Sequence, residues 1–293
     1  MVTESVGCMR EKKDVGQYFA KILTADSLFH VRHGAAHFER RRLEVILYIL
    51  ACIVSFIPCI VLYLWMRNGS SKEEVYRKRC DKALRQGFLT IFPVMLGSAV
   101  TSLLINLSGL RNSNPLLYEL LYKFIVFALV EETAKYLMFK RVMQKNPGPY
   151  SWLDMAVLMA AVGTGFGMIE SVVICIGESI PVVLIRGFSF AHVGYGFLVG
   201  YYYGKGVRNG NPSTKWIGLV IAWLLHGMYD FSLSEEFLAL NDNLVIVPFI
   251  LVFAEIALAI ALAVFVKRAP KKAEYTEVLI GKEQSMNPDL RIL

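Results

Sequence analysis

The feature that most constrains this chain is the separation of its charges from long apolar runs. Lys, Arg, Asp and Glu crowd into residues 1–42, 67–86 and 267–293. Between and beyond these blocks lie seven apolar stretches, at 43–66, 87–107, 115–139, 152–177, 181–203, 216–233 and 244–266. Each approximates the ~20 residues that a helix needs to cross the hydrocarbon core, the sixth being short. The chain is 55% hydrophobic and only 19% charged, against about 25% charged in a soluble domain. The expected fold class is all-α, a polytopic transmembrane helical bundle of about seven membrane-spanning helices. The first apolar run starts only near Leu43, so no cleavable signal peptide is expected, and that run is long enough to act as an uncleaved anchor.

The formal net charge of +7 does not point to nucleic acid, because the basic residues border the apolar runs, where the positive-inside rule puts them. The 67–86 connection carries Arg67, Lys72, Arg77, Lys78, Arg79, Lys82 and Arg85, whereas 108–114 has only Arg111. Lys140, Arg141 and Lys145 follow the third run, nothing basic lies at 178–180, and Lys205, Arg208 and Lys215 follow the fifth. The 234–243 connection is acidic, and the tail opens with Lys267, Arg268, Lys271 and Lys272. This alternation predicts that 67–86, 140–151, 204–215 and the C-terminal tail are cytoplasmic. Seven crossings would then put the N-terminus outside, although residues 1–42 hold eight Lys or Arg. Either that segment is translocated despite its charge, or the first run does not fully cross, as in a hairpin interrupted at Pro58. Residues 15–31 could form an amphipathic interfacial helix. The five cysteines (Cys8, Cys52, Cys59, Cys80 and Cys175) form no CxxC and predict neither a disulfide framework nor a zinc ribbon.

Ionisable side chains at the centre of a spanning helix cost about 2.5–3.5 kcal/mol each on insertion scales and mark functional sites. Here they fall in four consecutive runs: Glu131, Glu132 and Lys135 in the third, Glu170 in the fourth, His192 in the fifth, His226 and Asp230 in the sixth. At about 1.5 Å per residue, Glu131, His192 and His226 each lie roughly 13–17 Å from the expected cytoplasmic ends, a convergence near mid-membrane. Glu170 falls deeper unless its helix starts later or kinks at Gly163, Gly165 and Gly167. His226 and Asp230, at i, i+4, share a helix face, which suits two ligands of one ion or an Asp orienting a His. Lys135 has the same spacing from Glu131 and could neutralise one carboxylate. Glu131 and Glu132 point about 100° apart, so one of them is expected to face the site directly. Small residues around these positions permit close helix approach. Glu255 and Arg186 have no motif around them and read as structural or substrate-facing. Asp154, Glu119 and Lys123 lie near span ends and are expected to reach the interface.

The quoted residues form an ordered set: an EExxK motif at Glu131–Lys135, FxxxE at Phe166–Glu170, HxxxG at His192–Gly196 and HxxxD at His226–Asp230. In this order, each on its own span, they resemble the PrsW family of bacterial intramembrane proteases, related to the CAAX prenyl protease and Abi group. The resemblance covers roughly residues 45–266. It implies a basic N-terminal extension (1–42), a transmembrane protease domain (43–266) with the motifs on helices 3–6, and a cytoplasmic basic tail (267–293). It further implies a multi-pass protein of the bacterial plasma membrane that makes the site-1 cut in a single-pass membrane protein, typically an anti-sigma factor. Glu131 and Glu132 with Lys135 would be the catalytic residues, and Glu170, His192, His226 and Asp230 the metal set. Ser171 stands where the family often has Asn, and the 1–42 extension exceeds the compact family core.

Two mechanisms are open at this level. In one, His192 and His226 with Glu170 or Asp230 bind Zn²⁺, which lowers the pKa of water, and Glu131 or Glu132 takes the proton. In the other, Glu131 and a partner activate water without a metal, while His226 and Asp230 stabilise the oxyanion. The rival functions are a proton-coupled transporter, since intramembrane Glu, His and Asp also form proton relays, and a CAAX-type processing protease acting on prenylated or small peptides. A carrier would show internal repeats or paired discontinuous helices, and the sequence shows neither.

Overall fold

The structure, a computed structural model, describes residues 35–70, 74–146, 150–175, 183 and 190–269. Residues 15–31, Arg186 and most of 267–293 lie outside them. Among the described residues there is no strand. The principal helices are α1 (Ala35–Ser55), α2 (Ile57–Ser70), α3 (Glu74–Leu89), α4 (Ile91–Leu107), α5 (Pro115–Leu121), a π-helical segment (Tyr122–Leu129), α6 (Val130–Lys145), α7 (Trp152–Cys175), α8 (Ala191–Arg208), α9 (Pro212–Ser232) and α10 (Ile246–Arg268). The chain divides into residues 1–47 and 48–293, and all the packing described below belongs to the second unit.

By length and composition, four stretches among the described residues can cross a membrane: Arg42–Gly69, Glu74–Leu107, Trp152–Val173 and Asn243–Arg268. Large apolar side chains on α4 (Phe92, Leu96, Leu103, Leu107) and α10 (Phe249, Ile250, Phe253) are exposed. A soluble monomer rarely displays such continuous apolar faces; here they are the lipid-facing sides of a membrane protein. The expected total of seven crossings is not reached by this measure: of the helices bearing the ionisable residues, α7 meets it and α6, α8 and α9 do not.

Two boundaries differ from expectation. Residues 67–86, whose charge predicts a connection, are largely helical, and α3 runs into α4 with only a turn at Thr90. Pro93 lacks the N–H that would bond the carbonyl four residues back, which explains the discontinuity at this point. Likewise Arg42–Gly69 is interrupted only at Phe56, where Ile60 N–H still donates to Phe56 O at 3.0 Å. Pro58 therefore produces a local break and no hairpin.

The centre of the second unit is α7. About two thirds of its apolar window is buried, against about a fifth or less in the other candidate spans. Met155 to Val162 are almost completely enclosed. Such burial requires backbones in near contact, and glycines supply it. A Cβ on Gly87 of α3 would stand 2.2 Å from Val162 O, and one on Gly165 of α7 would stand 2.1 Å from Leu84 O. On the other side, Gly196, Gly200 and Gly204 of α8 lie against Met159, Met155 and Trp152. Ser151 and Asp154 cap α7 reciprocally: Ser151 N–H donates to Asp154 Oδ2 at 2.8 Å, and Asp154 N–H to Ser151 Oγ at 3.1 Å.

Candidate active site

The site forms where α6, α7, α8 and α9 meet. Glu131 and Glu132 occupy the first turn of α6, directly after the π-helical segment. A π-helix winds more loosely than an α-helix and is common at functional sites. Two of its carbonyls take side-chain donors from neighbouring helices: Ser98 Oγ donates to Val126 O at 2.8 Å, and Trp223 Nε1 to Phe124 O at 2.6 Å. The segment that aims the two glutamates is thus held from both flanks.

Both glutamates face the site, where their angular separation predicts one. The reason is the His226 imidazole, whose nitrogens lie on opposite edges of the ring and reach both carboxylates. Nδ1 is 2.9 Å from Glu132 Oε1, while Nε2 is 3.7 Å from Glu131 Oε2 and 3.5 Å from Asp230 Oδ2. Only the first is a hydrogen bond by distance. With Nδ1–H donating to Glu132, the Nε2 lone pair points toward Glu131 and Asp230.

Lys135 is fully buried and serves three partners. Its Nζ donates to Glu132 Oε1 at 2.5 Å, lies 3.8 Å from Glu131 Oε2, and donates to His192 Nδ1 at 3.0 Å. It also sits 4.7 Å from the centre of the Phe166 ring. An ammonium can only donate, so His192 Nδ1 accepts and its Nε2–H donates to Glu170 Oε2 at 2.8 Å. Lys135 therefore pairs most closely with Glu132, the neighbour of the carboxylate that the i, i+4 spacing suggests.

Glu170 joins the site although its place in the sequence predicts a deeper level. Its helix α7 starts at Trp152, at the predicted position. The difference is in the others. His192 stands in the first turn of α8, which continues to Arg208. Measured along their helices, His192, His226 and Glu131 lie about 21–24 Å from the predicted cytoplasmic ends and Glu170 about 27 Å. All four share one level because the helices extend further on that side than the apolar runs do.

Burial divides the group. The side chains of Glu131, Glu132, Lys135, His192 and His226 are at most 7% exposed, while Glu170 and Asp230 are 21% and 24% exposed and form the open edge. Four carboxyl groups and two imidazoles share this apolar setting with one ammonium. Among the described residues, Glu131 Oε2 and Glu132 Oε2 are buried without a hydrogen-bond partner. Glu131, His192 and His226 each offer one donor atom within 4.8 Å of the others. A His₂Glu set is a common catalytic zinc site, and a buried carboxyl oxygen without a partner is what a cation would satisfy. The residues present therefore fit a metal ion. The closest trio contains Glu131, with Glu170 and Asp230 one step further out as partners of the two imidazoles.

Tyr195 belongs to the same cluster, although no motif singles it out. It lies one turn after His192, inside the HVGYG string, and its ring stacks on His226 with centroids 5.5 Å apart and planes 25° apart. Its hydroxyl donates to Glu255 of α10. The spacing of three from His192 is the signal that sequence offers for it. Among the span-end residues, Asp154 serves as a cap and Lys123 lies over the Phe127 ring at 5.1 Å.

Comparison with known proteins agrees with the motifs. The profile of the PrsW family of intramembrane metalloproteases matches residues 83–260. The chain is 26% identical over 195 residues to Protease PrsW of Clostridioides difficile strain 630, covering 63% of this chain and 79% of the relative. It is 29% identical over 139 residues to Protease PrsW of Oceanobacillus iheyensis, covering 46% and 63%, and 24% identical over 177 residues to Protease PrsW of Bacillus subtilis strain 168, covering 59% and 76%. No solved structure matches. The matched region contains all four motifs and every residue of the buried cluster, and the chain belongs to the PrsW family as an intramembrane protease.

Proposed function

We propose that this protease cuts a single-pass membrane protein, an anti-sigma factor, at a zinc site in the bacterial plasma membrane. The observation that supports this reading is the enclosed group of Glu131, His192 and His226, with one orphaned oxygen on each adjacent glutamate. Glu131, His192 and His226 would hold the ion; His192 Nε2–H is taken by Glu170, so His192 would exchange its Nδ1 hydrogen bond with Lys135 for the ion. Zinc, when bound, supplies Lewis acidity that polarises the scissile carbonyl and lowers the pKa of water.

The protein's own groups do the rest. Glu132 has one oxygen tied to Lys135 and His226 and the other without a partner among the described residues, so it can take a proton from water without losing its position. Glu170 holds His192 through its Nε2–H, and Glu132 holds His226 through its Nδ1–H, fixing both rings. The exposed edge at Glu170 and Asp230 is where an extended peptide and water can enter, while the apolar walls exclude bulk solvent.

The test is co-expression with tagged single-pass anti-sigma factors, comparing wild type with Glu131→Gln, Glu132→Gln and His226→Ala. Cleavage by the wild type and its loss in all three variants is expected. Variants that cleave as well as wild type would refute the assignment. Metal analysis of the purified chain is expected to find one zinc per chain that is absent from His226→Ala; fully active, zinc-free protein would remove the metal from the mechanism.

A further inference from the structure

We infer that Tyr195 and Glu255 are positioning residues that hold the His226 ring in its working orientation, an inference resting on the reading of His226 as part of the proteolytic site. His226 has one close hydrogen bond, from Nδ1 to Glu132 at 2.9 Å, and a long contact of 3.5 Å from Nε2 to Asp230 at the open edge of the site. Packing against the ring faces and edge adds to what these two polar contacts fix. His192 meets it edge-on, with centroids 5.2 Å apart and planes at 78°. Tyr195 lies face-on beneath it and is itself almost fully buried.

A phenol ring can slide unless its far end is fixed. The Tyr195 hydroxyl donates to Glu255 Oε1, which reaches in from α10. The two helices abut at this level, since a Cβ on Gly194 would stand 3.5 Å from Leu258 Cδ2. The rest of α10 needs no carboxylate: its buried residues are Pro248, Ala259, Ala263 and Val266, and its other faces are apolar. An ionisable side chain in a span is costly and marks function. Among the described residues, the hydrogen bond that Glu255 accepts comes from the residue stacked on His226. Neither Tyr195 nor Glu255 is a defining position of the four motifs, and neither belongs to the ion-holding trio.

The experiment uses the full-length chain in lipid nanodiscs with a tagged single-pass anti-sigma factor that the wild type cleaves, measuring kcat, KM and thermal unfolding. Tyr195→Phe keeps the stack and loses the hydroxyl; Glu255→Leu removes the acceptor. Each is expected to lower kcat about tenfold with KM within about twofold and unchanged unfolding temperature, and the double variant to be no slower than either, since both break one link. Glu255→Gln retains an acceptor oxygen and is expected to recover most of the rate. Tyr195→Leu, which loses the stack, is expected to fall about a hundredfold, as displaced catalytic groups do.

Wild-type kcat in Tyr195→Phe or Glu255→Leu, or losses that multiply in the double variant, would overturn the inference. So would losses that follow the unfolding temperature. Should Glu255→Leu fail to fold, the near-isosteric Tyr195→Phe and Glu255→Gln carry the same test. A Glu131→Gln arm separates the two levels: if it is inactive while Tyr195→Phe and Glu255→Leu are unimpaired, only the positioning role fails. If Glu131→Gln is fully active, the site reading itself fails.

Discussion

Lys135 is the residue on which the charge balance of the site turns. It is the ammonium placed among the buried carboxylates, bonded to Glu132 and to His192 and near Glu131. Replacing it by Met leaves Glu132 buried and uncompensated, so Lys135→Met is expected to cost about 3–5 kcal/mol, measured as a fall in thermal unfolding temperature of the purified protein. The same variant should lose cleavage, because Glu132, the proposed proton acceptor, loses the ammonium that holds it in place. The i, i+4 spacing of His226 and Asp230 and the EExxK string announce these groups in the sequence. Which lysine contact is tightest, and that both glutamates converge on one imidazole, depend on side-chain directions across three helices. Spacing within one helix cannot supply those.

Helices that carry charge into a membrane core must approach each other closely, and their glycines carry that requirement. A Cβ on Gly163 would meet His192 O at 2.0 Å, backbone that cannot step aside. Gly163→Ala is expected to destabilise the protein by about 1–3 kcal/mol, as overpacking does, and to lower cleavage by displacing the first turn of α8. Gly194→Ala, with only a leucine methyl at 3.5 Å, should be tolerated on both readouts. The π-helical segment makes a second prediction. Trp223→Phe leaves the Phe124 carbonyl without its 2.6 Å donor. A loss of about 0.5–1.5 kcal/mol is expected for the missing hydrogen bond, seen in thermal unfolding, together with slower cleavage because Glu131 and Glu132 follow this segment directly. The glycine clusters are visible in the sequence as small-residue spacing. The π-winding is not, since no residue in YKFIVFAL distinguishes it from an α-helix; its carbonyls are held by Ser98 and Trp223, which arrive from elsewhere in the chain.

For the whole molecule, the lysine and arginine count makes a topological claim that labelling can check. Ser213→Cys, at the start of α9, should react with an impermeant maleimide only from the cytoplasmic face, and Asn112→Cys, between α4 and α5, only from outside; both positions are exposed. Reaction of both from the same side would contradict the alternation. The site's depth also belongs to this scale. The apolar runs predict a site near mid-membrane, whereas α6 and α8 continue past those runs to Lys145 and Arg208. Along α7, α8 and α9 Glu170, His192 and His226 therefore sit nearer the opposite end, while Glu131 lies near the middle of the helical stretch Pro115–Lys145.

Segregated charge and apolar run length are enough to specify an all-helical membrane protein, because lipid admits few other solutions. The ordered Glu, His and Asp motifs are enough to specify the family. Which donor atoms meet is settled only in three dimensions. Glu131, His192 and His226 come from three helices whose registers are set by glycine contacts, of α8 with α7 and of α9 with α8 and Phe124, and by the π-helical turn before Glu131. Tyr195 and Glu255 are brought beside them by helix packing, an effect of long-range approach that local sequence does not encode.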